Sequence, residues 1–213
     1  MKRVSFTLII FFFSISLYAS VIEVSKGSSY LVNTHMQILK DFSKTLSIDD
    51  IVKEEHDKKF EPWRKPDFNL GFFNYPVWIK FKVRFSDDAR GSEWVLNTGN
   101  PLLDNVEFYQ KNREGNYVVS KTGDMLKFSE RDLNSYWPSI YFSKNSIDKN
   151  SEEIYYLKIN TDTNFIFSLK IEELKSLVVS ERNYFIFLGF FLGFLMLISI
   201  YHIILYFMTY NLS

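Results

Sequence analysis

The sequence predicts an all-β domain, an antiparallel β-sandwich, followed by one transmembrane α-helix. Three observations carry this. From Phe185 to Met208 there is no Asp, Glu, Lys or Arg. Before that stretch, short runs of β-branched and aromatic residues alternate with short polar turns, with no long helical pattern between them. Aromatic residues make up 18% of the chain, with 22 Phe and 13 Tyr, and such residues favour strands and fill sandwich cores.

Residues 1–20 read as a signal peptide. Lys2 and Arg3 form a positive start, Phe6 to Tyr18 is an apolar run, and Ala19 is a small residue for cleavage. Leu17 stands where a second small residue is preferred, so an uncleaved signal anchor stays open. In both cases Lys2 and Arg3 stay in the cytoplasm and the domain that follows, residues 21–178, is exported.

Val21–Val24 and Tyr30–Val32 are short apolar runs and are expected as edge strands. Ser47 can cap a helix whose first turn holds Asp49 and Asp50, and this helix is expected to reach about Lys59. Pro62 and Pro66 then keep the chain extended or turning. Val77–Phe85 is the clearest strand: Val77, Ile79, Phe81, Val83 and Phe85 alternate with Trp78, Lys80, Lys82 and Arg84. This period of two predicts one buried and one wet face. Further strands are expected at Glu93–Asn97 and Asn105–Gln110, and across a Gly115 hairpin loop at Tyr117–Ser120. The series ends with Ser139–Phe142, Ile154–Asn160 and Phe165–Ile171.

Glu172 to Arg182 places Leu174, Leu177 and Val178 on one helical face and is expected to run into the membrane helix, residues 184–210, without a hinge. Phe185 to Met208 would make a helix of roughly 36 Å, enough to cross a hydrocarbon core of about 30 Å. Gly189 and Gly193 lie one turn apart, which lets another helix approach closely. His202 lies roughly half a turn around from Gly193, and a polar ring at that depth normally faces protein or water. A helix with features on two sides is expected to pack with other transmembrane helices rather than act as a plain tether.

Basic and acidic residues number 25 each, so nothing draws the chain to nucleic acid as a partner. Cysteine is absent and the histidines, His35, His56 and His202, are scattered. No metal site or cofactor is expected. Neither a Gly-rich phosphate loop nor a nucleophile elbow is present, and Asp49-Asp50 and Asp87-Asp88 read as turn or cap residues. No catalytic residue is assigned, and the chain is not expected to be an enzyme. The candidate ligand-binding residues are Trp78, on the polar face of its strand, Arg131, and the aromatic pair Tyr136 and Trp137. Exposed aromatics beside polar groups can stack on a sugar ring or another small ligand, although packing under loops is the commoner use of such residues.

Several motifs occur in a fixed order: Pro62-Trp63, Asn69-Leu70-Gly71-Phe72, and Val77-Trp78-Ile79-Lys80-Phe81. Asn100-Pro101-Leu102-Leu103-Asp104-Asn105-Val106-Glu107-Phe108-Tyr109 follows, then Gly123-Asp124, Arg131, Trp137 to Phe142, and Ile154-Tyr155-Tyr156-Leu157-Lys158. With the helix start Phe187-Leu188-Gly189-Phe190-Phe191, this order resembles the bacterial seven-transmembrane receptors with diverse intracellular signalling modules. The resemblance is to their second type of extracellular domain joined to the first membrane helix. It implies a jelly-roll-like sandwich related to carbohydrate-binding modules, standing in the periplasm and anchored in the bacterial inner membrane. It also implies a sensory role in signal transduction, six further helices and an output domain. The sequence stops after the first helix, so a fragment, a truncated gene and a subunit dependent on a signalling partner stay open. The alternative reading is a structural or interaction subunit whose helix packs with partner helices.

Overall fold

A computed structural model of the chain describes residues 20–148 and 151–210. Apart from Ser20, the predicted signal peptide lies outside the described residues. The domain opens with β1 (Ile22–Val24), β2 (Tyr30–Leu31) and β3 (Gln37–Lys40), then two helical turns, α1 (Ile48–Ile51) and α2 (Glu54–Asp57). There follow β4 (Glu61–Pro62), β5 (Phe68–Phe72), β6 (Val77–Phe85), β7 (Trp94–Asn97), β8 (Asn105–Lys111) and β9 (Tyr117–Thr122). The chain continues through β10 (Ser139–Tyr141), α3 (Lys144–Asp148), β11 (Glu153–Asn160), β12 (Asn164–Phe167) and β13 (Lys170–Glu173) into α4 (Leu174–Tyr210).

These strands form two facing sheets closed at one end by a ribbon. The larger sheet runs β4-β3-β6-β11-β8-β9, and the smaller runs β10-β7-β13-β2. The ribbon pairs β5 with β12. Among the described residues every pairing is antiparallel except one: β1 lies parallel to β6, with Ile22 opposite Val83. The length of β6 allows this, because β3 takes its first half, Val77 to Lys80, and β1 its second.

The core lies between the sheets. Ile79, Phe81, Val83 and Phe85 of β6 point inward with Phe108, Tyr155 and Leu157, and meet Trp94, Leu96, Ile140 and Ile171 of the smaller sheet. The rings of Phe81, Tyr155 and Phe108 stack nearly parallel, and Phe142 meets Phe85, Phe108 and Tyr155 edge-on. Each large apolar side chain buried here contributes about 1.5–3 kcal/mol.

The expected wet face of β6 is corrected by the structure. Trp78 is 0% exposed and Lys80 8% exposed. The excursion from Asp41 to Pro62 folds back over that face. Ser47 and Asp50 form a reciprocal capping box that starts α1, and Ile51 and Phe60 then cover Trp78, Leu39 and Tyr156. The Lys80 ammonium is held in an ion pair with Asp57 and lies 5.8 Å above the Phe60 ring. Only Lys82 and Arg84 keep partial contact with water. Phe165–Ile171 is likewise two strands, not one. At Ser168 the chain leaves the ribbon and its N–H donates to Thr98 O at 3.1 Å, before β13 joins β7.

Helix α4 is a single helix of 37 residues that begins directly after β13. Its first turns lie on the outer face of the smaller sheet. The Leu174 N–H donates to Glu93 O at 2.8 Å, and Leu177 is buried. Beneath it Val95, Asn97, Ser139 and Glu172 are buried although they point away from the core. Asn97 donates to the Glu172 carboxylate at 2.8 Å, which satisfies both polar groups. Beyond Tyr184 apolar side chains cover every side of the helix and are exposed, as expected of a span that faces lipid.

Candidate functional site

A polar groove and an aromatic junction lie on opposite sheets of the domain. The first is a groove of about 390 Å³ on the outer face of the larger sheet. Strand alternation builds its floor. Because Phe108, Leu157 and Ile159 point into the core, their neighbours Asn105, Glu107, Lys158 and Asn160 point out. Register does the rest: Glu107 lies opposite Lys121 on one side and Lys158 on the other. Lys44, Asn74 and Pro76 raise one wall and Leu126 closes the other.

Glu107 is the electrostatic centre of this groove. Lys121 Nζ lies 2.8 Å from its carboxylate and the Tyr109 hydroxyl donates to it at 2.7 Å. Burial acts to raise the Glu107 pKa, but the hydrogen bonds from Lys121 and Tyr109 outweigh it and hold the carboxyl below its usual range. Burial, and then the same carboxylate, push the Tyr109 phenol well up. Lys158 Nζ sits 5.1 Å above the Trp78 ring and donates to Leu46 O at 3.2 Å. The Trp78 indole N–H is buried there with no hydrogen-bond partner among the described residues. Carboxamides that both donate and accept, next to two ammonium groups, suit a small polar ligand rich in oxygen. Among the described residues no group of three or more His, Cys, Asp or Glu side chains is arranged to hold a metal ion.

The second place is the junction with α4. The Glu181 carboxylate accepts from the Ser135 hydroxyl and from the backbone N–H groups of Tyr136 and Trp137. Tyr136 stacks on Tyr184, Trp137 lies 5.6 Å from the same ring, and Phe185 meets Tyr136 edge-on. The Tyr184 hydroxyl beside Tyr136 holds the Tyr136 phenol above the usual tyrosine range.

The four candidate ligand residues are therefore not one site. Tyr136 and Trp137 come together, but against α4. Trp78 lies under Lys158 on the other sheet, buried rather than exposed. Arg131 is engaged within its own loop, its guanidinium 4.2 Å from the Phe128 ring centre and its Nε donating to Leu126 O at 3.1 Å. Sequence reasoning missed Asn105, Glu107, Lys121, Lys158 and Asn160. Their outward alternation is readable along each strand, but the register that aligns Lys121, Glu107 and Lys158 is not.

In α4, among the described residues, a Cβ added at Gly189 or Gly193 would meet nothing within 4 Å. His202 Nδ1 lies 2.9 Å from Ile198 O. A carbonyl can only accept, so Nδ1 carries the proton in that bond.

A search of curated proteins finds no match to this chain. The family described as 7TMR-DISM extracellular 2 matches residues 33–173, from just before β3 to the last residue of β13. The matched segment holds β3 to β13 of the sandwich and ends where α4 begins, and the chain belongs to the 7TMR-DISM extracellular 2 family.

Proposed function

We propose that this chain is the membrane-anchored sensory domain of a signal-transduction receptor in a bacterial inner membrane, with the sandwich in the periplasm. Family membership makes it a receptor-type domain, and α4 is long and apolar enough to cross a membrane. The observation that carries the reading is the unbroken passage of β13 into α4, reinforced by the three hydrogen bonds to Glu181. A shift of the smaller sheet cannot be absorbed by a flexible linker, because there is none.

The ligand in this reading is a small polar molecule, a carbohydrate among them, held in the Glu107 groove. Lys121, Lys158, Asn105 and Asn160 bind it there, and Trp78 supports Lys158 from below. Tyr136 and Trp137 serve the helix junction instead. Calorimetry of the full chain in nanodiscs against a glycan panel tests this. Heat of binding should appear for at least one glycan and vanish in Lys158→Ala and Glu107→Gln. Binding that persists in both variants would move the ligand elsewhere.

The spacing of Gly189 and Gly193, one turn apart on α4, supports a second element of the proposal, packing of α4 against other transmembrane helices. In a membrane-association reporter Gly193→Ile should weaken association and His202→Leu should weaken it separately. No change in either variant would reduce α4 to a tether.

A further inference from the structure

We infer that the loop end of the sandwich is apposed to the bilayer, with Leu102, Met125, Phe128 and Ile166 entering the interfacial layer of the membrane that α4 crosses. The inference rests on the reading of α4 as a span and adds a second membrane contact to it.

The first observation is the direction of α4. The helix starts beside Glu93, at the far end of β7. By Glu181 it has reached the loop before β10, and that loop sits beside Thr98, at the other end of β7, where the Thr98 N–H donates to Pro138 O at 3.1 Å. From Leu174 to Tyr184 the helix rises about 15 Å, close to the length of a four-residue strand and its flanks. The helix thus runs back along the sheet, and its uncharged stretch leaves the domain past the end marked by Asn97.

The second observation is what else lies at that end. Asn105 pairs with Asn160 and Val106 with Thr122, while Lys170 and Ser139 both pair with Asn97. The loops 98–104, 123–138 and 161–163 and the β5–β12 ribbon are therefore all at one end. On them Leu102 is 59% exposed, Met125 72%, Phe128 55% and Ile166 39%. Ile166 points out of the ribbon while its neighbours Phe165 and Phe167 point into the core. Scattered exposed apolar side chains need no explanation, but several on loop tips at the end where the span departs do.

The third observation is the aromatic group at the point of departure. Tyr136, Trp137 and Tyr184 form one cluster, and rings of this type with a polar edge prefer the boundary between headgroups and acyl chains. They set the depth of the loop end: residues beside them are at the boundary, and apolar side chains projecting farther enter it.

The chain has no cysteine, so single cysteines can be labelled without background. Four variants of the full chain in phosphatidylcholine nanodiscs, Leu102→Cys, Met125→Cys, Glu114→Cys and Phe191→Cys, would each carry an environment-sensitive fluorophore. Phe191 reports the span, and Glu114 lies in the β8–β9 hairpin at the opposite end of the sandwich. Lipids brominated high on the acyl chain should quench the labels at 102 and 125 to at least half the extent seen with the label at 191, and leave the label at 114 bright. An aqueous quencher should act on the label at 114 alone. Equal access of the aqueous quencher to 102, 125 and 114 would overturn the inference. Protection of 102 and 125 from both quenchers would overturn it too, by placing a protein there. A label at 191 that brominated lipid does not quench would instead refute the span itself.

Discussion

The backbone N–H of Tyr136 donates to the Glu181 carboxylate at 2.7 Å. A side chain of the helix thereby holds a loop of the sandwich, and the same carboxylate also serves Ser135 and Trp137. Glu181→Ala leaves the Tyr136 and Trp137 N–H groups without this acceptor, while the Ser135 hydroxyl still has Trp137 O, at a cost of about 1–3 kcal/mol. Amide exchange of Tyr136 and Trp137 should quicken while that of β6 stays unchanged. Unaltered protection of Tyr136 would mean that the loop holds its place without the helix.

Both faces of β6 are buried at Trp78. Trp78→Ala and Phe81→Ala should each cost about 3–5 kcal/mol, since each empties a filled site. Lys82→Ala, on the partly wet half of the strand, should cost under about 1 kcal/mol. Denaturant melts measure all three. A small loss at Trp78 beside a large one at Phe81 would return the strand to a single buried face.

That contrast marks what was legible in the sequence. The alternation of Val77 to Phe85 identified the strand and its core side, because the pattern is local. The cover over Trp78 was not legible, because it comes from Ile51 and Phe60, which reach β6 only through tertiary folding. The short strands β3 and β5 were missed for a related reason: each becomes a strand by pairing with a distant partner. The site fared likewise. An outward tryptophan and an adjacent Tyr-Trp pair drew attention to Trp78, Tyr136 and Trp137. The Lys121–Glu107–Lys158 row exists only once three strands are in register.

The Glu107 carboxyl is held below its usual range, so its interactions stabilise the fold above the unfolded value of about 4.3 and are lost as pH falls through the lowered folded value. Glu107→Gln should therefore melt below the unaltered chain at about pH 7, and the gap should close as pH falls below the unfolded value and through the lowered folded one. A gap independent of pH would assign the loss to packing and not to charge.

Gly123 has φ +132°, and a Cβ there would lie 2.2 Å from Asp104 O. Neither the left-handed backbone nor the contact leaves room for a side chain. Gly123→Ala should cost about 2 kcal/mol or more, measured by thermal melting, and should loosen the turn in which the Met125 N–H donates to Asp104 O. An alanine variant as stable as the parent would show that the turn can be rebuilt.

The pairing of β2 with β13, Tyr30 against Ile171, joins nearly the first strand of the domain to its last. The smaller sheet cannot close until residue 171 has been delivered across the membrane, and the next residues already belong to α4. A loop this long is costly to close, and contacts so distant in sequence slow folding. Biogenesis therefore has a fixed order: the sandwich completes only as its own anchor is being inserted, and until then the edges of β7 and β2, between which β13 will pair, stand open to any chaperone stationed on the receiving side.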